Sequence, residues 1–184
     1  RRALSERETI LEAARWQTRP SRVKTQAMDL ERWLGESMHR WKNILGSSAD
    51  LIREGETLPR NVSMDLKTLN LITDNLLDNA RKFSRGSPHV TIRTRRLPGT
   101  GLFGKPAWQI EFHDQGWGFD PAESKKIFRR FFRAHHDAPY SIPGTGLGLY
   151  LANTASRALG LRLEGESPGL GKGAVFRLEG MERL

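Results

Sequence analysis

The stretch from Asp65 to Phe83 constrains the fold most. It holds no glycine and no proline, and Leu69, Ile72, Leu76, Ala80 and Phe83 recur at spacings of three or four. That period predicts a helix over about 65–83 with one apolar stripe, which must be covered by another layer. Asn75, Asn79 and Lys82 share a second face, about a quarter-turn from the stripe at ~100° per residue. Two amides and an ammonium beside a buried stripe suit the wall of a cleft. An amide oxygen ligates a hard cation such as Mg²⁺ without adding charge. The same pattern also suits a solvated polar face.

Other segments supply the covering layer. A helix is predicted over Leu30 to Leu45, with Leu30, Trp33, Leu34, Met38 and Trp41 on one face and Asp29 as N-cap. A short strand is expected near Asp50 to Glu54, then a loop through Pro59. His89 to Leu97 reads as a strand, with Val90 and Ile92 alternating against Thr91 and Arg93. A hairpin-like connection, Pro98 to Pro106, leads to a return strand from Trp108 to His113. Asp114 to Gly148 is glycine-rich and irregular, with one short helix near Pro121 to Phe132. A helix from Leu147 to Leu159 stops at Gly160. Two strands close the chain, Leu161 to Glu166 and Ala174 to Leu178. The sum is an α+β fold, a two-layer α/β sandwich whose mixed, mostly antiparallel sheet carries helices on one face.

Composition narrows the function. The 184 residues contain no cysteine, which excludes a disulfide scaffold, a cysteine zinc site and a thiol nucleophile. No apolar run approaches the ~18 residues that span a bilayer. A net charge of +9 suits either a nucleic acid or a polyanionic small molecule. Two stretches, Arg81 to Arg96 and Lys125 to Arg133, are rich in Arg and Lys and hold no acid. The chain opens on Arg1, not Met, and its first helix, Leu4 to Trp16, has Leu4, Ile10, Leu11 and Ala14 recurring near one helical period and ends at Arg19-Pro20-Ser21. Residues 1–22 are expected to be the tail of a helix from a neighbouring domain, and residues 23–184 the main domain.

Two glycine motifs follow the long helix. In DQGWGF, Asp114 to Phe119, an aspartate at a strand end can accept from an exocyclic amine, and Gly116 and Gly118 let the backbone turn close to a ligand. In GTGLGL, Gly144 to Leu149, three glycines bare the N–H groups of a helix start, a ready phosphate site. A third segment, Gly99 to Pro106, imitates GxxxxGK but ends in proline, which offers neither hydroxyl nor N–H. It reads as a hairpin loop.

In this order, amide helix, DxGxG loop and GxGxG helix start, the chain resembles the catalytic ATP-binding domain of bacterial sensor histidine kinases. That domain has the Bergerat fold, shared with gyrase, the chaperone Hsp90 and the mismatch-repair protein MutL. IFRRFFRA, Ile127 to Ala134, resembles the aromatic box of the kinase branch, and GLGKGAVFRLEG, Gly169 to Gly180, its closing turn and strand. The resemblance covers about residues 28–184. It implies that Asn79 ligates Mg²⁺, that Asn75 orders phosphate or metal waters, and that Lys82 and Arg133 contact phosphate. Phe83, where tyrosine is common, would stack near adenine. Asp114 would accept the adenine amino proton while Gly116 and Gly118 let the chain pass the base. Gly144, Thr145, Gly146, Leu147 and Gly148 would form the phosphate turn, and residues 121–143 a mobile lid.

The resemblance also bears on chemistry. Hydrolytic relatives carry a glutamate as general base where this chain has Asn75, so efficient hydrolysis is not expected. Transfer to a neutral imidazole needs no such base. None of His39, His89, His113, His135 and His136 has the context of a phosphoacceptor, which is expected upstream of Arg1. His135 and His136 read as lid surface, and His39 and His113 as structural. The expected partners are a dimerisation and phosphoacceptor domain, whose second helix would end in residues 1–22, and a response regulator. The full-length protein is expected to be a membrane-anchored homodimer with this part in the cytoplasm, and no nucleic acid is expected. A non-catalytic ATP-binding module of the same fold, or a serine kinase of the anti-sigma-factor type, remain the alternatives.

Overall fold

The computed structural model describes residues 6–18, 23–99, 106–134 and 144–182. Its elements are α1 (Glu6–Thr18), β1 (Gln26–Met28), α2 (Leu30–Leu45), β2 (Asp50–Gly55), β3 (Val62–Met64), α3 (Leu66–Lys82), β4 (His89–Leu97), β5 (Ala107–Asp114), α4 (Gly148–Ala158), β6 (Arg162–Glu166) and β7 (Ala174–Met181).

The two long helices start by one device. Asp29 accepts from the N–H of Arg32, and Asp65 from that of Thr68, each filling a donor the first turn leaves open. Asp65 also accepts from the N–H of Lys24, at 2.8 Å. The stripe on α3 is buried at Leu69, Ile72, Leu76 and Ala80, joined by Leu77.

Five strands form one sheet in the order β2-β4-β5-β7-β6. β2 lies parallel to β4, and the other neighbours are antiparallel. Alternation divides the faces. Ile92, Trp108, Ile110, Phe112, Phe176 and Leu178 join the core with residues of α2, α3 and α4. Trp41 of α2 meets Phe112 edge-on at 5.5 Å, and Trp33 meets Trp41 at 5.8 Å. Polar bonds between α2 and α3 fix their register: Trp33 Nε1 donates to Asn70 at 2.9 Å, and Arg40 Nε to Asp74 at 3.0 Å.

The opposite face of the sheet is ionic. Glu111 is 3% exposed, and its carboxylate meets Arg177 Nε at 3.0 Å and His113 Nε2 at 2.8 Å. Arg177 bonds onward to Glu166 at 2.7 Å. Arg93 pairs with Glu54, and Arg96 with Glu182. In the acid-free run Arg81 to Arg96, the cations Arg93, Arg95 and Arg96 therefore meet acids from other elements.

Four expectations need amendment. The segment Pro121 to Phe132 is not one helix but a 3₁₀ turn, Pro121–Glu123, followed by successive turns. Its N–H bonds run mostly three residues back, from Arg129 to Lys126 and from Phe132 to Arg129. The apolar spacing at Ile127, Phe128 and Phe132 imitates a helix because these side chains pack in a small space, not because the backbone is regular. Second, β1 and β3 pair as a small antiparallel ribbon absent from the sequence reading. Third, α1 turns Ala13 and Trp16 inward, leaving Ile10 and Leu11 about half exposed. Fourth, His39 is exposed and makes no core contact, whereas His113 holds Glu111. β4 and β5 pair antiparallel up to Leu97↔Ala107, as a hairpin requires. Residues 100–105 of its connection, Leu4, residues 135–143 of the expected lid and both His135 and His136 lie outside the described residues.

Candidate functional site

The polar face of α3 meets the start of α4. Asn75 Nδ2 donates to the carbonyl of Leu71 at 2.7 Å, which turns its Oδ1 away from the helix. A Cβ placed on Gly148 would fall 3.2 Å from Asn75 Oδ1 and 3.8 Å from Asn79 Oδ1. Two neutral oxygens thus converge on the first residue of α4. That helix has no side-chain cap, so its opening N–H groups are left for another acceptor.

A cavity opens at this point. Its polar half is lined by Asn75, Asn79, Lys82 and Arg133 and by the glycine turn through Gly144, Thr145, Gly146 and Gly148. Its apolar half is lined by Phe83, Phe119, Ile127, Phe132, Leu149 and Phe176. Asp114 and Gly118 also line it. Gly116 lies behind, lining a second hollow with Arg85 and His89. Leu147 is not on the wall; its side chain is buried in the core at 1% exposure.

Asp114 is held by its backbone surroundings. Its Oδ1 accepts from the N–H of Gly116 at 2.8 Å and from that of Ala174 at 3.3 Å. Burial pushes the carboxyl up to about 6, only partly offset by those two N–H groups and the neighbouring His113. The loop after Asp114 is pinned on both sides. The N–H of Trp117 donates to the carbonyl of Phe83 at 2.9 Å, and the N–H of Gly173 to that of Gly116 at 3.0 Å. Ser167 ties the far side: its hydroxyl accepts from the N–H of Phe119 at 3.0 Å and donates to the carbonyl of Gly173 at 2.7 Å. Gly118, at φ 62°, has this hydroxyl 2.5 Å from where a Cβ would stand, so no side chain fits.

The segment Ile127 to Ala134 lies on the glycine turn before α4. The N–H of Phe131 donates to the carbonyl of Gly146 at 3.0 Å. Phe131 has φ 62°, the one non-glycine residue in the left-handed region among those described, and its ring is 59% exposed with Arg130 stacked on it at 4.6 Å. Lys82 is engaged within the site. Its Nζ lies 2.7 Å from Asp78 Oδ2, while Arg81 holds Oδ1 at 2.7 Å.

The sequence reading missed Asp78, Ser167 and the specific apolar wall. Asp78 carries a signal in its acidic residue four before Lys82. Phe119, Ile127 and Phe132 stand inside motifs already recognised. Ser167 has no local signal, because its role depends on two loops that meet only in the fold.

The donor set fits a hard cation and a polyanion: neutral amide oxygens, uncapped N–H groups, an ammonium and a guanidinium. A layered sandwich with such a cleft between two helices and a glycine turn is an ATP-binding architecture. The family model described as "Histidine kinase-, DNA gyrase B-, and HSP90-like ATPase" matches residues 64–181, and the chain belongs to that family. A histidine protein kinase of Staphylococcus epidermidis, SaeS, is 30% identical over 114 residues, covering 58% of this chain and 31% of that protein. MprB of Mycobacterium tuberculosis, a signal transduction histidine-protein kinase/phosphatase, is 30% identical over 122 residues, covering 65% of this chain and 23% of that protein. The chain thus spans a third or less of the length of these curated relatives. Among solved structures, a mycobacterial sensor histidine kinase MprB superimposes with TM-score 0.67 at 26% identity, covering 85% of this chain and 96% of its own.

Proposed function

We propose that this chain binds ATP with Mg²⁺ and delivers the γ-phosphoryl to a histidine on a separate helical hairpin, as the catalytic part of a two-component sensor kinase. One observation carries the proposal: the cavity gathers an amide pair, two cations, a half-buried carboxylate and a bare glycine turn, contributed by α3, the end of β5 and the segments before α4, which are apart in sequence and joined in space.

The roles follow from chemistry at each atom. Asp114 accepts the amino proton of adenine and disfavours guanine, whose oxygen at that position would face the carboxylate. Phe83, Phe119 and Phe176 enclose the base, and Phe132 closes over it. Asn79 would hold Mg²⁺, with Asn75 ordering its waters or the phosphate, and the ion when bound would neutralise phosphate charge. Lys82, Arg133 and the N–H groups from Gly144 to Gly148 orient the phosphates for in-line transfer. Position 75, one turn before Asn79, carries an amide that cannot take a proton from water, and the acceptor is an imidazole already nucleophilic when neutral. A crystallised histidine kinase in complex with a response regulator protein matches this fold with TM-score 0.72, and a response regulator is the proposed downstream partner. No helix among the described residues is long and apolar enough to cross a membrane. The proposal places this part in the cytoplasm of a membrane-anchored homodimer.

The test is direct. The chain is mixed with Mg-ATP labelled at the γ position and with the helical hairpin of the full-length protein, and acid-labile phosphohistidine is measured. Wild type labels the hairpin; Asn79→Ala binds ATP at least about tenfold more weakly and does not. If Asn79→Ala binds Mg-ATP like wild type, the site assignment is wrong.

A further inference from the structure

Lys82 already has a partner inside the cavity. Its ammonium lies 2.7 Å from Asp78 Oδ2, and both residues line the same wall, with side chains 26% and 15% exposed. Asp78 Oδ1 is taken by Arg81, whose Nη2 and Nε approach at 2.7 and 3.2 Å. Among the described residues two carboxylates line this cavity, Asp78 and Asp114. Asp114 Oδ1 is held by the N–H groups of Gly116 and Ala174. Asp78 stands beside Asn75 and Asn79, where a polyanion would lie, and its charge there has the wrong sign for binding one.

The helix does not ask for this carboxylate. Asp78 sits in the last turns of α3, next to the negative end of its dipole. Arg81 and Lys82 satisfy that end on their own. The carboxylate instead engages the ammonium of Lys82 on the cavity wall.

We propose that Asp78 is a built-in competitor for Lys82, which the incoming triphosphate must displace, and that it holds ATP affinity below what the other groups would give. This rests on the reading above that Lys82 faces phosphate. When the nucleotide enters, Lys82 exchanges one anionic partner for another. The net gain from its ammonium is the difference between the two contacts, and the same exchange in reverse eases nucleotide release.

The experiment is a double-mutant cycle read by calorimetric titration with Mg-ATP at fixed ionic strength. Asp78→Asn keeps the shape and removes the charge. It is expected to tighten binding by about threefold to fivefold, the worth of a partly exposed ion pair. Asp78→Glu, four residues before the same lysine, restores an affinity close to wild type. In a Lys82→Met background, Asp78→Asn has no further effect. Melting of each variant without nucleotide checks that all are folded. The proposal is overturned if Asp78→Asn leaves affinity unchanged or weakens it. It is also overturned if the tightening persists undiminished with Lys82→Met, which would make it a diffuse field effect. Two controls separate this idea from the site assignment. If Asn79→Ala and Lys82→Met weaken binding while Asp78→Asn does nothing, only the competitor role fails. If neither Asn79→Ala nor Lys82→Met matters, the site itself is misassigned and the competitor role falls with it.

Discussion

Burial raises the carboxyl of Asp114 to about 6, against the two backbone N–H groups that hold its Oδ1. The folded state therefore binds this proton more tightly than the unfolded chain. Stability is lost as pH rises from the ordinary carboxylate range through about 6, and the full cost, about 3 kcal/mol, applies above that. Asp114→Asn escapes it. The variant is expected to melt higher than wild type at pH 7.5, with the advantage shrinking towards pH 4, while ATP binding is lost because an amide N–H would face the adenine amine. Calorimetric melts at the two pH values, paired with ATP titration, check both halves. Gly146 presents the opposite case, a residue whose lack of a side chain is needed by its neighbours. At φ 69°, a Cβ there would stand 2.8 Å from the backbone of Phe131 and Phe132. Gly146→Ala is expected to push the aromatic box off the phosphate turn and weaken Mg-ATP binding by at least about tenfold, since a glycine backbone region is lost as well as space. Circular dichroism should stay close to wild type.

Elements were readable where one period dominated. α2, α3 and β4 emerge at nearly their true bounds because Trp33, Leu69, Ile72, Val90 and Ile92 each fall on a repeating buried face and Asp29 and Asp65 mark the helix starts. β1 and β3 were not readable. Each has three residues, and Met28 finds Val62 only across the intervening α2 and β2. The stretch after Pro121 was misread for the reverse reason: apolar spacing persisted where the backbone did not. In the candidate site, the motifs gave Asn75, Asn79, Lys82, Asp114 and the glycine turn. They could not give Ser167, whose hydroxyl joins the loop after β5 to the turn between β6 and β7. Ser167→Ala leaves the N–H of Phe119 buried without its acceptor, at a cost of about 1–3 kcal/mol. A lower urea midpoint and a weaker preference for ATP over GTP are expected, because Asp114 is set by the same loop.

Across the whole molecule, α1 is part of the packing. It contacts α4, and Trp16 lies in the same hydrophobic core as α2 and the sheet. Trp16→Ala is expected to cost about 3 kcal/mol and to lower the melting midpoint by roughly 6–12 °C for a chain of this size. Deleting residues 1–22 should reproduce most of that loss in a scanning calorimeter. The distribution of charge also belongs to this scale. The excess of +9 is not spread over one surface. Arg93, Arg95 and Arg96 are spent in ion pairs with acids of neighbouring segments, and among the described residues Lys82 and Arg133 are the basic ones that line the cavity.

The pairing of β5 with β7 has a further consequence. Asp114 lies opposite Ala174, so β5 and β7 meet at one rung, while the chain between them, residues 115–173, carries much of the site and α4 and lays β6 along the other side of β7. In polymer terms this is a closed loop stapled at its base. Lengthening such a loop costs only the logarithm of its size, about 0.6 kcal/mol for each doubling. The chain between residue 134 and the glycine turn at Gly144 can therefore gain or lose residues over evolutionary time while the rung at Asp114, and the carboxylate on it, stays where it is.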